Sequence, residues 1–94
     1  MANFIVRVEL SGRNPNYTFL RDGLINLGFT KRVTDKDGIE WRLPNGNYRI
    51  ESNATKDQII TAVQGVAFRL ERNPMIFVTQ IEPKGMIWSG LQRC

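Results

Sequence analysis

Apolar and polar side chains alternate near the start of the chain. Phe4, Val6, Val8 and Leu10 fall on one side of an extended segment, and Arg7 and Glu9 fall on the other. A period of two marks a strand with one face covered and the other partly open. The stretch SGRNPN, Ser11 to Asn16, gathers turn formers and ends it. From Asn16 the period lengthens: Tyr17, Leu20, Leu24 and Leu27 recur at helical spacing, which predicts a first helix running to about Gly28, a natural C-terminal cap. Gly23 lies on or beside that stripe and reads as a close approach of helix to sheet.

Phe29 to Thr34 reads as a second strand, closed by the Asp35-Lys36-Asp37-Gly38 reverse turn. Ile39 to Leu43 continues extended, Pro44-Asn45-Gly46-Asn47 turns again, and Tyr48 to Ser52 gives another strand. The middle of the chain is thus a hairpin with a broken first arm, leaving room for a third short strand. Thr55 and Gln58 have the spacing of a capping box, in which each side chain satisfies a free amide at the start of a helix. Ile59, Ile60, Val63, Val66, Ala67 and Leu70 then form one wide apolar stripe. Asn73-Pro74 stops this helix, and Met75 to Ile81 supplies a last strand rich in β-formers. Pro83, Lys84, Gly85 and Met86 open a turn-like tail that continues through the more apolar Ile87 to Leu91.

Strand, helix, strand, strand, helix, strand is the order of an α+β, ferredoxin-like βαββαβ two-layer sandwich, an antiparallel sheet with two helices on one face. The 94 residues make one domain, 1–94, with a core over 1–82 and a C-terminal tail over 83–94. The other sheet face is left open to a partner.

Composition narrows the chemistry. No histidine and a single cysteine, Cys94, exclude histidine-based catalysis and internal disulfides and argue against zinc; no cofactor or metal is expected. No apolar run approaches the roughly 20 residues that cross a bilayer, and Arg7 and Glu9 interrupt the apolar N-terminus, so a cytoplasmic location is the expectation. The net charge of +4 favours an acidic or polyanionic partner.

Glu9, near the end of the first strand, has the chemistry of a metal ligand or general base, or of a plain ion-pair partner for Arg7. Asp35 and Asp37 stand where aspartates stabilise turns by local hydrogen bonds. Lys31, Arg32, Arg42 and Arg49 follow the central hairpin, interleaved with Trp41 and Tyr48. Arginines clasp phosphates while aromatic rings stack on unpaired bases, so the set suits single-stranded RNA. The same two rings would equally close a sheet edge or a dimer seam. Arg21, on the first helix, is a candidate to stabilise the pentavalent phosphate of RNA cleavage by charge alone.

Tyr17 with Phe19-Leu20-Arg21, a helix ending in an aromatic, the DxxGI run from Asp35 to Ile39, Arg42-Leu43 and the strand from Asn45 to Ile50 together resemble the GhoS-type antitoxin endoribonucleases. These belong to a wider ferredoxin-like group with VapD and the small CRISPR adaptation nuclease. The similarity spans roughly residues 3 to 65, and the C-terminal third follows it only in pattern. The resemblance implies an antitoxin that cuts the messenger RNA of a small membrane-acting toxin without a required metal. It also implies a catalytic part for Arg21. The family's next arginine stands here as Gly23, and Glu9 occupies the place of a family aspartate.

Two readings follow. One is a sequence-selective endoribonuclease with Arg21 and Glu9 as catalytic groups, Arg42 or Arg49 assisting. The other is a non-catalytic module that binds RNA or protein through the open sheet face or an edge strand, for example as an inhibitor of a nuclease complex. A homodimer through the sheet face, an edge, or the tail residues Trp88 and Leu91 fits either.

Overall fold

A computed structural model describes residues 1–12, 14–82 and 85–94. Arg13 of the first expected turn, and Pro83 and Lys84 at the expected start of the tail, lie outside the described residues. The elements run β1 (Ala2–Glu9), α1 (Tyr17–Asn26), β2 (Arg32–Thr34), β3 (Glu40–Arg42), β4 (Asn47–Ser52), α2 (Lys56–Ala67), β5 (Met75–Ile81) and β6 (Gln92–Arg93). No helix among the described residues is long and apolar enough to cross a membrane.

The alternation in β1 sets the core. Phe4, Val6 and Val8 are buried, and antiparallel pairing on both sides puts Phe4 beside Ile50 and Val6 between Tyr48 and Val78. Leu20 and Leu24 of α1 and Ile59, Val63 and Ala67 of α2 close over this face. Burial of such side chains stabilises by roughly 1.5–3 kcal/mol each. The opposite face carries Arg7 and Glu9 of β1, Arg49 and Glu51 of β4, and Met75, Phe77 and Thr79 of β5, and no helix among the described residues covers it.

The strands do not form one sheet. Among the described residues they make two three-stranded antiparallel sheets, β4-β1-β5 and β2-β3-β6, joined by one bridge between Thr30 and Arg49. The hairpin turns away where Lys31, the residue after the bridge, accepts at its carbonyl oxygen from Leu43 N–H at 2.7 Å. The pairing continues within the hairpin and leaves β4. The third short strand is β3, and the tail covers its edge through β6, with Trp41 opposite Arg93 and Arg42 opposite Gln92.

Local chemistry accounts for the helix ends. Asn16 Oδ1 accepts from Phe19 N–H at 3.0 Å, and at the far end Gly28 N–H reaches Ile25 O and Phe29 N–H reaches Leu24 O. This is the double bond pattern of a Schellman cap, with Leu24 and Phe29 as its buried apolar pair. Leu27 therefore sits at the cap and is exposed, outside the expected stripe. In α2 the capping box is complete: Gln58 N–H donates to Thr55 Oγ1 at 3.2 Å and Thr55 N–H to Gln58 Oε1 at 2.9 Å. Gly23 allows close approach of α1 to α2 rather than to the sheet, since a Cβ there would stand 2.7 Å from Val66 Cγ1.

Glu71, just beyond α2, latches the loop that leaves β1. Its carboxylate accepts from Ser11 N–H at 2.9 Å, Ser11 Oγ at 3.0 Å and Gly12 N–H at 3.2 Å. The Ser11 amide leads in holding this carboxyl below its ordinary value of 4.5. A carboxyl with a lower pKa folded than unfolded contributes its full stabilisation above the unfolded value and loses it as pH falls through the folded one. On acidification below the ordinary glutamate value, the Ser11 and Gly12 amide resonances should shift together and lose protection from exchange. Glu71→Gln should abolish that titration; wild-type resonances indifferent to acid would show that the latch is not formed.

Candidate nucleic-acid interface

The bend between the two sheets opens a cleft of about 760 Å³ between α1 and the β2–β3 hairpin. Thr18, Arg21, Asp22 and Ile25 reach it from α1 at the three- and four-residue spacing of one helix face. Lys31, Arg32 and Arg42 reach it from the hairpin, and the Asn45-Gly46 turn and Tyr48 form its floor. Four of the five cations singled out in the sequence as candidates for phosphate contact therefore border one space.

Their situations differ. Lys31 is built into the fold: Nζ donates to Pro44 O at 3.0 Å and Asn47 O at 3.1 Å, and lies 4.5 Å from the centre of the Tyr48 ring. Burial, followed by the charges of Arg42 and Arg21, pulls its pKa down, so the three cations act on one another. Arg32 stands directly across the hairpin from Arg42, a like-charge pairing that is unfavourable unless an anion intervenes. Glu40 meets Arg32 at 3.0 Å and offsets it. Arg21 is accompanied by Asp22 at 3.4 Å, both well exposed. Arg42 is exposed and has no ion pair among the described residues. An anion entering the cleft would relieve this repulsion.

The remaining candidates differ from these cations. Tyr48 is 1% exposed, a core residue whose burial pushes its phenol up to about 12. Its ring is capped by Lys31 and gives no free face to a base, which corrects the expectation of stacking there. Trp41 donates its indole N–H to Asp35 Oδ2 at 2.9 Å, and Asp35 Oδ1 takes the amides of Asp37 and Ile39. That network leads with the Trp41 bond in holding the Asp35 carboxyl below its ordinary range. Trp41 thus braces the turn, outside the cleft. Arg49 projects from the open sheet face, where Nη2 donates to Asn3 Oδ1 at 2.7 Å and its buried Nε has no hydrogen-bond partner among the described residues.

Glu9 lies on the same open face, bordering a shallow hollow with Arg7, Met75 and Phe77. Val8 and Leu10 on either side of it point into the core that α1 covers, so Glu9 and Arg21 stand on opposite sides of the sheet. A shared catalytic role for the two is corrected on that ground. The carboxylate that does border the cleft is Asp22, which the sequence reading passed over although it sits four residues from Thr18 on the helix face. Among the described residues no three His, Cys, Asp or Glu side chains gather as a metal-binding group.

No protein-family model matches the chain, and no curated protein matches its sequence.

Proposed function

We propose that this protein binds single-stranded RNA in the cleft between α1 and the β2–β3 hairpin, as an antitoxin-like, cytoplasmic protein of the GhoS type acting on a toxin messenger RNA. The observation that carries the reading is the convergence of Arg21, Lys31, Arg32 and Arg42 on one open space, with Arg42 lacking an ionic partner among the described residues. Guanidinium groups at the surface bind phosphate oxygens in pairs, and an unpaired strand can follow a concave groove that a stiff duplex cannot enter as readily. The ferredoxin-like arrangement belongs to the same proposal. β5, β1 and β4 lie side by side, and the Thr30 bridge on the outer edge of β4 brings the second strand region next in line. That neighbourhood supports reading the strands in the succession fourth, first, third, second of a βαββαβ sandwich.

Cleavage would use Arg21 and Arg42 to stabilise charge on a pentavalent phosphate, without a metal and without Glu9. The separation of Glu9 from Arg21 favours a second reading, a non-catalytic RNA-binding module that occludes its target. One experiment distinguishes them. Labelled single-stranded RNA is incubated with the protein in chelator, beside Arg21→Ala. Products that persist in chelator and vanish in the variant support the endoribonuclease; binding without products supports the module. Absence of both at low salt, where phosphate contacts are strongest, would remove RNA from the proposal.

A further inference from the structure

Among the described residues the two three-stranded sheets have four edge strands, β4 and β5 of one and β2 and β6 of the other. The outer edge of β4 meets Thr30, and β2 and β6 are guarded by their shortness, three and two residues, and by Arg32 and Arg93. The fourth is β5, paired to β1 on one side, with no strand on its other side among the described residues. Edges left open in soluble proteins are normally guarded by charge, proline, a bulge or short length. β5 has none of the sequence guards: its seven residues, MIFVTQI, contain no charge, proline or glycine.

We infer that β5 pairs antiparallel with β5 of a second copy about a two-fold axis, extending the two central sheets into one β4-β1-β5-β5-β1-β4 sheet. A two-fold contact requires a surface that complements itself. Centred on Val78, the pairing matches all seven residues. Phe77 lies opposite Thr79 of the second copy, Met75 opposite Ile81, and Ile76 opposite Gln80. Every cross-strand pair is uncharged, and the two Phe-Thr pairs set an aromatic ring against a β-branched residue, a favourable combination. Phe77 and Met75, 68% and 56% exposed in the single chain, come to lie beside apolar or neutral neighbours on the open face.

Charge distribution selects this occupant. The excess positive charge of the cleft lies beyond β4, at the far side of the sheet from β5, so joining two β5 edges does not bring the cationic clefts together. A charged peptide would find no counter-charge on this strand, whereas a second copy presents a neutral edge of the same length. The inference holds whatever the cleft binds.

Sedimentation equilibrium of the full chain from about 10 μM to about 1 mM covers the range in which a small interface associates. Dimer is expected within it. Phe77→Lys combined with Thr79→Lys places like charges opposite each other twice and should weaken the dimer by about tenfold or more. Phe77→Glu combined with Thr79→Lys replaces those pairs by opposite charges and should restore association. Both positions are exposed, and circular dichroism checks that the variants fold. Amide exchange on the unaltered protein gives a second measure: protection along β5 should rise with protein concentration while that of β2 does not. A monomer at the highest concentration, a dimer indifferent to the lysine pair, or failure of the opposed charges to restore it would overturn the inference.

Discussion

Replacing Gly46 with alanine is expected to destabilise the protein by about 2–5 kcal/mol, the sum of a left-handed backbone penalty and an overpacking penalty. Gly46 has φ +81°, and a Cβ there would collide with the carbonyl oxygen of Val8. Relief by a side-chain rotation is not available, because the obstacle is main chain in the centre of the sheet. Val8 N–H in turn donates to Gly46 O at 2.7 Å, so retreat of the turn would break a central hydrogen bond. Gly38 is the matched control: its φ is also +81°, but nothing lies within 4 Å of a Cβ. Gly38→Ala should therefore cost only the backbone share, about 1–2 kcal/mol. Urea denaturation of the two variants measures the difference, and equal midpoints would show that the Val8 carbonyl is no obstacle. Against a total stability of about 5–15 kcal/mol, the Gly46 change is a large loss, and at the lower end of that range it leaves a substantial unfolded population.

Combining Arg21→Ala with Arg42→Ala should lower affinity for single-stranded RNA on the order of 100-fold at low salt, taking each charged hydrogen-bonding group at roughly 1.5 kcal/mol. Their removal should also flatten the dependence of log affinity on log salt by about 1.4, since each neutralised phosphate of a single strand contributes about 0.7. The slope is the sharper readout, because a damaged fold would lower affinity without removing two specific counterion releases. Arg49→Ala provides the comparison. Arg49 is on the opposite face, bound to Asn3, and its loss should leave the slope unchanged. A double variant with the wild-type slope, or an Arg49→Ala variant that matches it, would place the RNA outside the cleft.

Much of the fold was legible because its signals are local. The alternation through Phe4, Val6 and Val8, the Thr55/Gln58 capping box and the glycine after α1 each act within a few residues, and each appears in the structure. The division into two sheets was not legible. It depends on whether the chain after Thr30 keeps pairing with β4 or folds back on Leu43, a choice between two sets of similar backbone bonds to which side-chain periodicity is blind. The partner of Gly23 was missed for a related reason: a small residue signals close approach without saying to what, and here it is Val66.

The site was legible in composition more than in geometry. Arg21, Lys31, Arg32 and Arg42 share the cleft as a basic group would. Tyr48 stood with Trp41 as a candidate stacking ring because cations interleave with both, although Tyr48 and Ile50 have the two-residue spacing of an inward face against Val6 and Phe4. The same alternation sends Arg49 outward. Glu9 illustrates what sequence spacing omits, since two residues placed on successive elements can still be separated by the thickness of a sheet.

The placement of the indole side chains decides what an optical experiment on this protein observes. Trp41 is held to Asp35 in the hairpin and Trp88 lies in the segment that leads to β6, so neither tryptophan belongs to the β4-β1-β5 core. Emission excited at long wavelength reports the surroundings of the hairpin and of the segment leading to β6. The central layer holds Tyr48, with Tyr17 packed against it, and a denaturation curve recorded in both channels tests whether the two sheets open together.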